Sequence, residues 1–235
     1  MRTLYRGSHG HDVEFMQCLL VRADTREHAD LPYSGSDGRF DGECERAVRA
    51  FQRRHPGLVV DGVVGPQTWT ALGLRHQREH PIRLFGQPDG MSCWSAAATM
   101  ILGNTMSVGR GRASLGLRGG IIADLDNLDT FARGLGWRMP NRSLGVQELV
   151  GLLLRMPLWI GTIYRDGANH LGGHAVVLSG VYSDGDPSGQ GTMVRIHDPW
   201  PPGRGTVYGS FVNPIILRDG ARRAAASLEY VLIPS

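Results

Sequence analysis

Three cysteines in 235 residues are too few for a disulfide framework, so the fold must rest on an apolar core. No apolar run is long enough to span a bilayer. Residues 1–12 also lack the hydrophobic segment of a secretory signal, so export by the general secretory route is not expected. Charge offers equally little. The basic residues are arginines scattered among acids, the formal net charge is +3 and the sequence pI is about 9.0. Without a concentrated basic stripe, neither nucleic acid nor a membrane is an expected partner. His9, His11 and His28 have no second set of ligands at metal-binding spacing, so no metal is expected, and no organic cofactor either. What the chain does have is 41% hydrophobic content, enough for one large domain or two modest ones.

Residues 4–74 read as a small all-α unit. Val13, Met16, Gln17, Leu19 and Leu20 recur at helical spacing behind Asp12 as a cap, and Ala47, Val48, Phe51 and the stem of Gln52 do the same on a second helix. Trp69 and Leu72 belong to a short third helix, which Thr68 is placed to cap. Two Asp-Gly turns, Asp37-Gly38 and Asp61-Gly62, each lead into a helix and echo one another. Trp69 is expected in the core. Cys18 and Cys44 could pair or stay reduced, which spacing leaves open.

This pattern resembles the type 1 peptidoglycan-binding domains, which are three-helix modules. The residues that carry it are Leu4, Gly7, Gly10, Val13, Gln17 and Leu19, residues 37–40, residues 47–52, and residues 57–69. The resemblance implies the bundle and, beyond it, wall binding. Two departures bear on the ligand groove: a longer, polar loop at residues 22–36, and Asp41 where a glycine is usual.

Residues 87–102 follow a different logic. The Pro/Gly-broken loop Gln87-Pro88-Asp89-Gly90-Met91-Ser92 runs into Cys93 and then an Ala-rich segment of high helix propensity. That sets Cys93 at the first turn of a helix, where unpaired amides and the positive end of the dipole favour a thiolate nucleophile. Gln87 lies upstream, where its amide could join the Cys93 N–H in holding an oxyanion. His174 opens the apolar run 175–182, and Asp198 ends the run 193–197 just before Pro199, giving a base and a carboxylate to orient it. His170 competes with His174 but sits in a glycine-bearing loop. His197 should face away, because strand side chains alternate.

The order Gln, Cys-Trp, Gly-His with an apolar strand, then Asp-Pro-Trp, resembles the papain-like cysteine peptidases, in particular their bacterial AvrRpt2-type and C39-type branches, over about residues 82–233. The resemblance implies Cys93 as nucleophile, His174 as base, Asp198 as orienter and Gln87 as oxyanion residue. It makes Trp200 the tryptophan that shields the His–Asp hydrogen bond, and Trp94, Trp200, His170 and Gly173 candidates for the substrate cleft. Asp198 stands where papain itself has Asn.

The rest of the chain fits an α+β domain. Residues 73–80 read as a polar linker or a frayed helix end, and residues 82–85 as a brief strand. Residues 103–120 are glycine-spaced and aperiodic, a loop in which Arg110 and Arg112 could meet an acidic group. Helices are expected around Leu125–Leu135 and Val146–Leu154, then strands at residues 158–164, 175–182, 193–197, 206–208 and 228–233, joined by short connections into an antiparallel sheet. The domains are taken as 1–76, a peptidoglycan-binding-like helical module, and 77–235, a papain-like domain with an N-terminal catalytic helix.

The function this implies is an amide-bond hydrolase acting on peptidoglycan peptides as an antibacterial effector. It would be exported without a classical signal, on a secretion-system carrier, and would act in the periplasm or wall of a target cell against a cognate immunity protein. Two alternatives stand beside it: an effector protease cutting a protein in a target cell's cytoplasm, with the bundle as adaptor, and a non-catalytic wall-binding protein, against which the intact quartet argues.

Overall fold

The computed structural model describes residues 1–27, 36–103, 115–116, 119–140, 142–165, 171–213, 215–219 and 222–235. They cluster into two compact units, Met1–Gln77 with Tyr182–Met193, and Arg78–Val181 with Val194–Ser235. His28, His170, Arg110 and Arg112 lie outside the described residues.

The first unit contains α1 (His11–Glu27), α2 (Gly42–Arg54) and α3 (Pro66–Ala71). Val13, Phe15, Met16, Leu19 and Leu20 of α1 pack with Ala47, Val48 and Phe51 of α2 and Trp69 of α3, all buried, as residues at helical spacing on facing helices should. Trp69 is thus a core residue, its Nε1 donating to Arg2 O. Asp41 caps α2, its carboxylate accepting from the Glu43 and Cys44 amides, so the residue that departs from the family pattern has a local role. Two caps fall elsewhere than expected. Asp12 sits inside the first turn of α1, paired with Arg2, because the Gly10 carbonyl already takes the Val13 and Glu14 amides. Helix α3 starts at Pro66, whose preset φ suits a first helical position, and Thr68 turns inward toward the Val63 carbonyl. Cys18 and Cys44 are free thiols, and burial pushes the Cys18 thiol up to about 11.

The two Asp-Gly turns are built alike. The amide of Gln17 donates to Asp37 Oδ1 and Arg39 O and accepts from Gly38 N; that of Gln52 donates to Asp61 Oδ1 and Val63 O and accepts from Gly62 N. Both glycines have positive φ, +71° and +74°, which is why glycine stands there. The segment Tyr182–Met193 completes this unit. The Tyr182 ring lies 5.9 Å from those of Phe15 and His11, and Arg22 bonds Asp184 (3.1 Å), Asp186 and Gln190.

The second unit is α+β. Helices α4 (Cys93–Leu102), α5 (Leu125–Gly134) and α6 (Val146–Leu153) accompany strands β1 (His76–Glu79), β2 (Leu158–Arg165), β3 (Leu171–Ser183), β4 (Thr192–Asp198), β5 (Thr206–Phe211), β6 (Ile215–Asp219) and β7 (Arg222–Leu232), of which the strand ends 76–77, 182–183 and 192–193 cluster with the first unit. The sheet order is β5-β4-β3-β2-β7-β6, with β1 also on β3. Pairing is antiparallel for β2 with β3 and β7, and for β6 with β7. Its outer strands approach each other, since Ile216 N donates to Ser210 Oγ and Arg218 N to the Tyr208 hydroxyl, so the sheet curls. Strands here are apolar on both faces because both are covered. Trp159, Ala175, Val177 and Leu232 pack with Trp94, Ala97, Ala98, Leu128 and Phe131 of α4 and α5, whereas Ile160, Val176, Leu178, Val194 and Ile196 pack with Leu149, Leu152 and Leu153 of α6. No helix among the described residues is long and apolar enough to cross a membrane.

Two expectations are corrected, and one strand is new. Residues 76–79 are a strand and not linker: His-Gln-Arg-Glu carries no apolar alternation, and its conformation comes from backbone pairing on β3, with most of its side chains in solvent. Residues 82–85 are not a strand; Ile82, Leu84 and Phe85 pack on the α4 cluster from an irregular segment. Strand β6 was not anticipated at all.

Candidate active site

Cys93 is the first residue of α4. The helix is fixed from behind. The Trp159 indole donates to the Trp94 carbonyl (2.9 Å), the Trp94 indole donates to Gly119 O, and the Trp94 and Trp159 rings meet Phe131 edge-on. Ala96, Ala97 and Ala98 are buried, small enough to bring the helix close to the sheet. Ser92 precedes Cys93 without capping the helix; its hydroxyl is turned to Asp89 instead. The first-turn amides are therefore not taken by a side-chain cap, which suits a site for developing negative charge. Trp94, a cleft candidate, is instead a core residue, 3% exposed.

His174 lies on β3 opposite Thr162 of β2, whose hydroxyl donates to the His174 carbonyl. Alternation along the strand places it on the face of Val176 and Leu178, and Asp198 continues Val194 and Ile196 on β4 in the same way. The two side chains meet, with His174 Nε2 2.6 Å from Asp198 Oδ1. The Cys93 thiol acts electrostatically on the same imidazole. Burial alone would lower the imidazole pKa, but the hydrogen bonds to Asp198 and Cys93, with their charges, raise it to about 10. Imidazole and carboxylate thus meet from β3 and β4, and the thiol at the start of α4 is in electrostatic reach of the imidazole.

Asp198 is itself tied down. Oδ1 also accepts from the Trp200 amide (2.9 Å), and Oδ2 accepts from the Tyr208 hydroxyl (2.9 Å). Trp200 is half-buried and engages the carboxylate through its backbone. Gly173 is exposed, with open space where a Cβ would stand. His197 turns to the other face as alternation requires; it is buried against Ser179 Oγ, and burial with the nearby Arg195 pushes its pKa down to about 4.

Gln87 is buried, and the segment after Asp198 holds it. Gln87 N donates to Pro199 O and Gly203 N donates to Gln87 O. Next to it, a Cβ on Gly86 would lie 2.3 Å from Arg204 N, so only glycine permits this approach. The Gln87 Nε2 donates to Asp89 O, and Oε1 has no hydrogen-bond partner among the described residues. Sequence reasoning missed Tyr208, whose only local signal was that of a tyrosine on a strand.

Residues 9–72 match the family described as "Putative peptidoglycan binding domain". Over 69 residues the chain is 38% identical to the N-acetylmuramoyl-L-alanine amidase CwlL of Bacillus licheniformis, which covers 29% of this chain and 18% of that protein. It also resembles the crystal structure of a Burkholderia AP3 phage endolysin at 35% identity and a TM-score of 0.27, over 34% of this chain and 28% of that one. The chain thus spans less than a third of either relative. Residues 74–213, more than half of the chain, match the family described as papain-like cysteine protease AvrRpt2, and the chain belongs to that family.

Proposed function

We propose that the protein is a cysteine hydrolase that cuts amide bonds in the peptides of bacterial peptidoglycan. The observation that supports the reading is an imidazole bonded to a carboxylate at 2.6 Å and in electrostatic reach of a thiol at a helix start. His174 takes the Cys93 proton, and the thiolate attacks the scissile carbonyl carbon. The Cys93 N–H and a Gln87 amide N–H receive the oxyanion. When the tetrahedral intermediate collapses, the C–N bond breaks and His174 returns the proton to the leaving amine. Water, deprotonated by His174, then cleaves the thioester. Asp198 keeps the imidazole oriented throughout.

Two comparisons favour the wall as substrate: the match of residues 9–72 to a peptidoglycan-binding family and the partial relative named an N-acetylmuramoyl-L-alanine amidase. A module that holds the enzyme on its polymer raises the local substrate concentration. The same reading extends to an antibacterial effector acting in the wall of a target cell, with a carrier for export and an immunity protein in the producer. The AvrRpt2 family match favours a second reading, cleavage of a target protein. Incubating purified sacculi with the full chain and with Cys93→Ala separates the two. Wall hydrolysis predicts muropeptides released by the parent and reduced at least about a thousandfold in the variant. Release by neither protein, with a general peptide substrate cut by the parent, would leave the protein-target reading in its place.

A further inference from the structure

The buried carboxylate of Asp198, 1% exposed, is gripped from a side the hydrolytic steps do not use. Oδ1 serves His174 and the Trp200 amide; Oδ2 accepts from the Tyr208 hydroxyl at 2.9 Å. Tyr208 stands on β5, 4% exposed, among the apolar residues of the curled sheet. Its hydroxyl in turn accepts from Arg218 N of β6 at 3.3 Å, and the Arg218 guanidinium lies 5.3 Å from the centre of its ring. His174, Asp198, Tyr208 and Arg218 therefore form a run of contacts across β3, β4, β5 and β6, where the outer strands of the sheet come together. Burial and the Asp198 charge raise the phenol pKa, so the hydroxyl remains a donor.

Resting on the triad reading above, we infer that Tyr208 is a positioning residue of the hydrolytic site: by holding Oδ2 it stops the Asp198 carboxylate rotating about Cβ–Cγ and keeps Oδ1 aligned with His174 Nε2. Without the hydroxyl, one buried carboxylate oxygen loses its donor, and the group gains by turning to share the donors at Oδ1. The His174–Asp198 bond then weakens. The groups that face this cluster and bear charge or titrate are Cys93 on α4, His174 on β3, Asp198 on β4 and Arg218 on β6.

The test is the pH dependence of alkylation at Cys93 by iodoacetamide on the full chain, read on the Cys93 peptide by mass spectrometry so that Cys18 and Cys44 do not contribute. The parent should react at pH 6 much faster than His174→Ala, with an upper inflection where the imidazolium loses its proton. In Tyr208→Phe that inflection should move down by about one pH unit and amide hydrolysis should fall about tenfold, the equivalent of one hydrogen bond to a charged group. In an Asp198→Asn background Tyr208→Phe should add nothing. An unmoved inflection, or the same loss in both backgrounds, makes Tyr208 a structural residue only and overturns the inference. If the parent reacts no faster than His174→Ala at pH 6, the triad reading itself fails. The inflection is a property of the folded fraction, so partial loss of stability does not disguise it.

Discussion

Gln17 and Gln52 hold their loops with the same bonds: each buried amide donates to the aspartate and to a carbonyl of an Asp-Gly turn, and accepts from the glycine amide. The echo between the two turns is thus a repeated clamp.

Truncating either clamp should be costly. Gln52→Ala strips partners from Asp61, Val63 O and Gly62 N at a site 1% exposed. It should lower stability by about 2–4 kcal/mol in urea denaturation of the full chain. Gln52→Glu should cost more, because a carboxylate cannot donate to Asp61 or Val63 O. A variant as stable as the parent would show that the clamp is incidental.

The seam beside Gln87 makes a steric prediction. In Gly86→Ala the new methyl meets backbone at Arg204 N (2.3 Å) and the Gly203 carbonyl carbon (2.6 Å), which cannot swing aside as a side chain would. Separation of the two segments breaks the Gln87–Pro199 and Gly203–Gln87 bonds. The expected cost is about 1–3 kcal/mol in melting, with loss of hydrolysis exceeding loss of Cys93 alkylation, since Gln87 is assigned to the oxyanion and not to the thiol.

His174 supplies a titration. With its pKa raised to about 10 from 6.5, its contribution to stability is fully present below 6.5 and is lost as pH rises through about 10. Its ring proton resonances should report imidazolium at pH 8. In Asp198→Asn with Cys93→Ala, burial is left without its opponents, and the ring should be neutral at pH 7. Persistence of the imidazolium there would refute the assignment of these two partners.

His197 runs the other way. Burial and Arg195 hold it down to about 4, so the unfolded chain takes up a proton that the native chain refuses. Stability should fall as pH drops from 6.5 toward 4, and His197→Gln should flatten that slope in denaturation measured across the range.

Arg22 anchors Asp184, whose side chain is 1% exposed. Arg22→Ala leaves that carboxylate without its guanidinium and should destabilise the first unit by about 3 kcal/mol. The double variant Arg22→Ala, Asp184→Ala should recover part of the loss in the same denaturation measurement. Equal stability of the single and double variants would remove the coupling.

Much of this molecule was legible before any coordinates. Helices α1, α2, α5 and α6 and strands β2 to β5 and β7 carry local periodicity; Cys93 and Asp198 sit at element boundaries marked by Gly and Pro, whereas His174 lies inside β3, which starts earlier, at Leu171. The misreadings have separate causes. Trp94, a cleft candidate by resemblance, follows Cys93 on the helix, and neighbours on a helix point about 100° apart, which takes Trp94 into the core. Strand β1 was missed because its signal is not in its side chains but in the open edge of β3.

Local chemistry alone determined which residue types could act: a thiol before a helix, a histidine opening a strand, an aspartate closing one. Which of them touch was decided by the curl and register of the sheet, because contacts between β3, β4, β5 and β6 depend on backbone pairing across distant segments. That is why Tyr208 and its grip on Asp198, and the place of Tyr182 against Phe15, could be seen only in the folded chain.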